Sequence, residues 1–316
     1  KGDLLAEGRR SEYVVEDRHT DQKQWNVSSV LNAVLSESIK LNAGANYRFN
    51  RTHNYNVVKD LLGGDFWYDI DKFSERDFPD DPSKAQLDLN NPDRIVRVGD
   101  IYSHNYYGTI QNAQLWATLS AYIRHFDFYL ALDGGWTGMF RDGKQRRGLF
   151  PENSYGKSDI LNFFEYGVKG GATWKINGRN FVQANGAYLS HAPYFSSLFI
   201  SPRTRNSYVE NPQNEKIASG DISYIVRHPF IKGRITFYYT QFMDGTRNMS
   251  FYDDGYRAFS NYVLTNIDRR HMGVELGAEV KITPSLTATG VFSYGSYIYT
   301  NNPDYLQTVD NSNKVL

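Results

Sequence analysis

Seven histidines are the side chains of this sequence best suited to bind a metal or move protons, and their spacing favours neither role. They are spread from position 19 to position 271, and no two have the separation of a zinc motif such as HExxH. Ser190 and His191 are direct neighbours, and neighbouring side chains of a strand point to opposite faces. No serine lies in a nucleophile elbow, and no nucleotide-binding glycine loop is present. We therefore expect no enzyme activity, no catalytic metal and no bound cofactor.

An acidic segment between positions 65 and 88 could supply oxygen ligands for Ca²⁺. Its carboxylates do not follow the order of an EF-hand loop. The sequence favours a solvated loop in which these acids pair with Lys72, Arg76 and Arg94. The acids are Asp65, Asp69, Asp71, Glu75, Asp77, Asp80, Asp81 and Asp88.

Four basic residues lie close together in the next part of the chain: Arg141, Lys144, Arg146 and Arg147. Guanidinium groups make paired hydrogen bonds to phosphate oxygens, so the cluster could meet lipopolysaccharide phosphates at an outer leaflet. A solvated surface loop is the other interpretation, and the sequence favours it.

Aromatic side chains in the same parts of the chain are the best candidates for contact with a substrate. An aromatic face can stack on a sugar or on a hydrophobic ligand. A ring of interfacial aromatic residues and a packed loop core are the alternatives for each of them. The candidates are Phe66, Trp67, Tyr68, Tyr102, Tyr106 and Tyr107.

Five short turns indicate where the β-strands begin and end that would position these aromatic and charged side chains. After the first turn, successive turns are separated by nearly equal lengths of chain, and Asn177-Gly178 is a strong hairpin signal. Pro229 and Pro284 lie in turns, where no ladder donor is needed. The turns lie at 37–38, 124–125, 177–179, 229–232 and 283–285.

Long runs that alternate apolar and polar residues flank these turns and predict β-strands. From 273 to 282, Val274, Leu276, Ala278 and Val280 oppose Glu275, Glu279 and Lys281. The first set is expected to face lipid and the second a lumen, because the predicted strands have the length that crosses a membrane. The sequence predicts ten strands, at 25–36, 39–50, 105–123, 126–141, 161–176, 180–191, 215–228, 233–248, 262–282 and 286–300.

The remaining segments are predicted to be extracellular loops of an all-β, antiparallel, up-and-down transmembrane barrel. The segment 51–104 is too long for a plain loop, and the stretch 61–70 is too apolar to be disordered. We expect it to form a helical turn or a small hairpin and to pack over the mouth of the barrel. The loops are predicted at 1–24, 51–104, 142–160, 192–214, 249–261 and 301–316.

Composition agrees with this architecture. The chain has 316 residues, zero net charge, no cysteine and 15% aromatic residues, with tyrosine the most frequent of them. Neutral charge argues against a nucleic-acid partner, and no apolar stretch is long enough for a transmembrane helix. Residues 1–5 do not resemble a signal peptide. The chain begins and ends on the loop side, so we expect a segment of a larger barrel.

Three stretches in the last third of the chain resemble barrel strands of TonB-dependent receptors. One is similar to the NPxxEK approach to a strand and reads Glu210-Asn211-Pro212-Gln213-Asn214-Glu215-Lys216-Ile217-Ala218-Ser219-Gly220-Asp221. The next is an aromatic strand, Phe237-Tyr238-Tyr239-Thr240-Gln241-Phe242-Met243-Asp244. The last is similar to the GVELE strand and reads His271-Met272-Gly273-Val274-Glu275-Leu276-Gly277-Ala278-Glu279. The whole most resembles the receptors of Bacteroidetes outer membranes.

This resemblance implies a 22-stranded barrel in a Gram-negative outer membrane, of which this chain holds about ten strands without the plug domain. It implies active import of a siderophore, glycan, cofactor or peptide. The implied partners are the TonB system, which would act through the plug, and lipid or lipopolysaccharide. The alternative is a non-transporting all-β surface protein for binding or adhesion, whose strands would be shorter.

Overall fold

Ten long strands dominate the computed structural model, which describes residues 8–312. They form because alternating apolar and polar side chains suit a pleated sheet with one apolar face. All ten predicted strands are present. They are β1 (Val15–Ser36), β2 (Ile39–Asp60), β5 (Ile101–Ile123), β6 (Phe126–Gly143), β8 (Leu161–Lys175), β9 (Asn180–His191), β10 (Glu215–Arg227), β11 (Ile231–Asp253), β12 (Ala258–Thr283) and β13 (Leu286–Tyr299).

These strands form one antiparallel sheet in chain order, β1-β2-β5-β6-β8-β9-β10-β11-β12-β13. Each of the eight inner strands pairs with the long strand that precedes it and the one that follows it. All five predicted turns are therefore short connections at one end of the sheet, as expected. Within residues 8–312, β1 and β13 each have one unpaired edge, so the sheet is open.

Several strands extend further from the turns than the sequence predicted. β2 continues ten residues past its predicted end, to Asp60, and the segment 249–261 is not a long loop. There β11 and β12 stay paired as far as Asp253 and Ala258, and the carboxylate of Asp253 accepts the amides of Gly255 and Tyr256 in a tight turn. The prediction missed this turn because the polar residues at the far ends of β11 and β12 resemble a loop in sequence.

Small elements fill the segment 61–100, as predicted from its apolar content. β3 (Trp67–Tyr68) pairs with β4 (Ile95–Val96), and α1 (Lys72–Asp77) is followed by a short 3-10 helix. The side chain of Asp71 caps α1 by accepting two backbone amides, which is the usual role of Asp at this position.

The other connections are also partly ordered. β7 (Gly156–Lys157) pairs with β6, and α2 (Phe195–Leu198) lies in the 192–214 segment. The predicted loop 301–316 contains β14 (Asp304–Val309), which pairs with β12. The predicted loop 1–24 already contains the start of β1. Residues 1–5 and 313–316, on which the expectations about the chain ends depend, lie outside the described residues.

The two faces of the sheet differ sharply. On the apolar face, large side chains are bare, with Trp25 73% exposed and Phe164 76% exposed. On the polar face, the end away from the turns is covered by the 61–100 and 192–214 segments. No helix in residues 8–312 is long and apolar enough to cross a membrane.

Candidate functional site

The 61–100 segment packs on the polar face through a small core of its own. Leu61 and Val96 are buried against Val58 of β2 and Tyr102 of β5. The hydroxyl of Tyr102 donates to Glu16, which also accepts from Asn56 at 2.7 Å. These contacts attach the 61–100 segment to β1, β2 and β5 at the end of the sheet away from the turns.

Four of the six predicted contact residues are packing residues in this structure. Phe66 and Tyr68 are buried in the 61–100 segment, and Tyr102 and Tyr106 are buried on the polar face of β5. The pKa of Tyr68 is raised to about 12, mainly by burial and to a lesser degree by its hydrogen bond to Asp93. Their rings fix the segment and leave little face free for a ligand.

Trp67 and Tyr107 are both partly accessible, but they lie in different parts of the structure. Trp67 packs on the edge of the same core, with the ammonium of Lys72 4.6 Å from its ring centre. Tyr107 belongs to the apolar face, because it pairs with His53 and Asp142 in an unbroken register. The structure therefore does not gather the six aromatic residues into one pocket.

Four of the eight acids in the segment 65–88 pair with nearby cations. Asp77 pairs with Arg76 at 2.6 Å, and Asp69 pairs with Arg94 at 3.4 Å. Burial raises the pKa of Asp69, while the amide of Ser103 and the charge of Arg94 oppose the rise. Among residues 8–312, no group of carboxylates and histidines is arranged to hold a metal ion. Lys72 contacts Trp67 rather than an acid.

Arg141 and Arg147 are buried. For these two residues, both contact with lipopolysaccharide phosphates and a place in a solvated loop are therefore wrong predictions. The guanidinium of Arg141 donates to the carbonyls of Pro202 and Ser154 and to Asn206. Arg147 donates to the carbonyl of Ser103 at 2.8 Å, and burial lowers its pKa. The strand β6 continues to Gly143, so Arg141 points into the polar face and ties the connecting segments to it.

The 192–214 segment is the covering element that the sequence did not predict. Leu198, Phe199 and Ile200 are buried against Met139 and Phe163 of the polar face. The amide of Asn248 also donates to the carbonyls of residues 199 and 200. The run Leu198-Phe199-Ile200 was the available signal, because three adjacent apolar residues are unusual in an exposed loop.

Nearer the turns the polar face is open and carries charges. A cleft of about 740 Å³ is lined by Asp221, Arg234 and Glu275, among others. Asn185 donates to Asp221 at 3.0 Å, and the hydroxyls of Tyr238 and Tyr297 are 2.7 Å apart. This half of the face therefore combines charged groups with exposed apolar side chains such as Val291.

Solved structures place this architecture among known folds, although no protein-family model and no curated protein matches the sequence. The chain is similar to the copper transporter OprC, with a TM-score of 0.63 and 13% identity over 89% of this chain and 38% of that one. The fold is that of a segment of an outer-membrane receptor barrel. The segment also resembles the FrpB iron transporter from Neisseria meningitidis (TM-score 0.57, 15% identity, 89% of this chain and 36% of that one).

A third similar structure is the ferric yersiniabactin uptake receptor FyuA from Yersinia pestis, with a TM-score of 0.51 and 10% identity. The alignment covers 92% of this chain and 39% of that one. The chain thus spans less than two fifths of the length of each of these three structures. Its three receptor-like stretches lie at the entry to β10, in β11 and in β12, where the resemblance predicted strands.

Proposed function

We propose that this chain is part of a TonB-dependent transporter of a Gram-negative outer membrane, which actively imports a nutrient. The observation that carries the proposal is the bare apolar band across ten connected antiparallel strands. From Ile39 to Phe49 of β2 the band runs about ten steps of roughly 3.4 Å, or about 24 Å of height at a tilt of about 45°. Transmembrane barrels have an apolar band about 25 Å tall.

An adhesion or binding protein outside the membrane would need another cover for this band. A β-sandwich places a second sheet about 10 Å away over its apolar face. Among the residues that the structure describes, both folded segments lie on the polar face instead. This distribution supports lipid on one side and a substrate path on the other, and it supports transport over adhesion or catalysis.

The partners follow from the same proposal. A plug in the open half of the polar face would couple the barrel to the TonB system. The receptor-like stretches of β10, β11 and β12 support the narrower assignment to the Bacteroidetes type and a barrel of 22 strands. The segments 61–100, 142–160 and 192–214 would then be extracellular. A siderophore, glycan, cofactor or peptide remains the proposed class of cargo.

Within this transporter, we place the substrate path beside the 61–100 segment. Trp67 would offer its partly accessible ring to the cargo, while Phe66, Tyr68, Tyr102 and Tyr106 hold the segment on the wall. Trp67→Ala should weaken cargo binding on the order of tenfold, the effect of truncating an aromatic contact. Tyr155→Ala, at an exposed aromatic residue of another segment, is the matched control. Equal affinity in both variants would remove Trp67 from the path.

The decisive experiment combines cell fractionation with nutrient uptake. The protein should sediment with the outer membrane and migrate faster on gels when it is not boiled. Deletion of its gene should abolish uptake of one scarce nutrient, and deletion of TonB should do the same. A protein found in the soluble fraction, or uptake that persists without TonB, would contradict the proposal.

A further inference from the structure

A small cavity lies inside the 61–100 segment, beside α1 and the 3-10 helix Pro82–Ala85. We call it the α1 cavity. Its volume is about 260 Å³. At roughly 30 Å³ for each, the volume of a water molecule in the liquid, it has room for about nine non-hydrogen atoms. Its lining includes Tyr68, Ile70, Glu75, Phe78, Pro82 and Gln86.

The walls of the α1 cavity are fixed by backbone contacts. Ile70 and Gln86 form an antiparallel bridge. The amide of Asp71, which caps α1, donates to the carbonyl of Ala85 at 2.8 Å. A ligand that enters a cavity with fixed walls orders little of the protein, so most of its contact energy is retained as affinity.

Other side chains of α1 hold the helix from outside the segment. The ring of Phe73 meets that of Phe259 edge to face, with 6.0 Å between the ring centres. The guanidinium of Arg76 donates to the carbonyl of Arg257 at 2.8 Å. Four strands of the sheet separate β5 from β11, so these contacts join α1 to the far side of the sheet. The helix that borders the cavity is therefore held from both sides.

The lining is apolar apart from one free carboxylate. The amide group of Gln86 donates to and accepts from Asp93, and the hydroxyl of Tyr68 donates to the same carboxylate. Tyr68 is buried and adds only a small part of its ring to the lining. Glu75 is exposed and forms no ion pair within residues 8–312. Glu75 is thus the lining residue whose charge is available to a ligand.

The cations near the cavity leave the charge of Glu75 uncompensated. The ammonium of Lys84 already lies 3.9 Å from Asp81. The guanidinium of Arg10 lies 5.3 Å from the ring centre of Tyr68, but Arg10 does not line the cavity. An apolar cavity that carries one uncompensated carboxylate is complementary to an apolar ligand with one positive charge.

We propose that the α1 cavity binds a small organic cation, with its ammonium group at Glu75 and its apolar body against Ile70 and Phe78. An aryl-alkyl amine has both parts. The ring of Phe78 favours such a ligand further, because aromatic faces attract ammonium groups. The inference goes beyond the proposed function. The residues that form the cavity belong to the 61–100 segment, so the site should bind whether or not the protein transports a nutrient.

Calorimetric titration of the purified full-length protein tests the proposal with matched probes. The probe 2-phenylethylamine carries the ring and the charge, 2-phenylethanol carries the ring alone, and ethylamine carries the charge alone. Glu75→Gln removes the carboxylate from the lining. Asp80→Asn is the control, because Asp80 is an exposed acid of the same segment that does not line the cavity. Unboiled gel migration checks that each variant is folded.

We expect Glu75→Gln to bind 2-phenylethylamine about fivefold more weakly than the wild type, the upper effect of an exposed ion pair. Asp80→Asn should match the wild type. The alcohol should bind more weakly than the amine, with equal affinity for the wild type and Glu75→Gln, and ethylamine should not compete.

Three outcomes would overturn the proposal. They are no binding of 2-phenylethylamine to the wild type, equal affinity of Glu75→Gln and the wild type for it, and an alcohol that binds as tightly as the amine. In the last case the cavity would hold a neutral apolar ligand. A second variant, Phe78→Ala, should weaken binding of both ring-bearing probes, and unchanged binding would place the ring outside the α1 cavity. Failure of the proposed function would appear separately, in fractionation and uptake.

Discussion

Single residues hold the connecting segments on the barrel wall, and Arg141 is the clearest example. Its guanidinium is surrounded by carbonyls and an amide oxygen from two segments, and no carboxylate within residues 8–312 accepts a hydrogen bond from it. A buried charge of this kind is tolerated because the Nε donor and both Nη1 donors have acceptors. The sequence showed a basic cluster but could not show which of its members would turn inward.

Arg141→Ala should therefore loosen the 192–214 segment. A hydrogen bond to a charged group contributes about 1.5–3 kcal/mol, so even the net loss of one such bond should raise protease cleavage near 202–206 roughly 30-fold. Arg146→Ala is the control, because Arg146 pairs with Glu152, whose side chain is 85% exposed. Unchanged cleavage in Arg141→Ala would show that the segment is held by its apolar contacts alone.

Phe199 tests those apolar contacts directly. Its ring is fully buried and stacks on Phe195 with 4.4 Å between ring centres. Truncation of a buried phenylalanine costs about 3–5 kcal/mol, so Phe199→Ala should release 192–214 to protease while the barrel stays resistant to heat. Tyr194→Ala, at a largely exposed ring in the same segment, should behave like the wild type. Equal protection of 192–214 in both variants would contradict the packing.

At the scale of strands, the sequence predicted which residues share a face but not what covers each face. Alternation is local, so Val274, Leu276, Ala278 and Val280 could be assigned to one side of β12 from the chain alone. The contacts of Leu198 with Met139 join residues that are far apart in the chain. No local pattern specifies such a pairing, so the inward fold of 192–214 appeared only in the structure.

The assignment of faces to lipid and lumen predicts unequal effects of the same charge on neighbouring positions. Leu276→Arg places a guanidinium in the apolar band, where it costs about 2–4 kcal/mol near the bilayer midplane. Glu275→Arg places it in the open cleft of the polar face. Assembly, measured by unboiled gel migration, should fail or slow in the first variant only. If both variants assemble equally well, the apolar face does not meet lipid.

At the scale of the whole molecule, the turns and the folded segments define two opposite ends. The absence of cysteine allows each end to be labelled through a single introduced thiol. Tyr256→Cys lies in the tight turn between β11 and β12, and Arg179→Cys lies in a short turn at the other end. A membrane-impermeant maleimide applied to intact cells should label the first variant and spare the second. Labelling of both variants, or only of the second, would reject the orientation.

The strands around the barrel segment have very different lengths. β11 and β12 have 23 and 26 residues, whereas β9 and β10 have 12 and 13. Because the turns are level, the longer strands extend about 33–46 Å further from the turns, at roughly 3.3 Å per residue before tilt. The edge of the sheet away from the turns is therefore low at β9 and β10 and high at β11 and β12. The 192–214 segment covers the low part on the polar face only. In the proposed orientation, a large molecule at the cell surface would reach the bilayer from the side at the short strands β8–β10. The longer strands β11 and β12 would block the same approach.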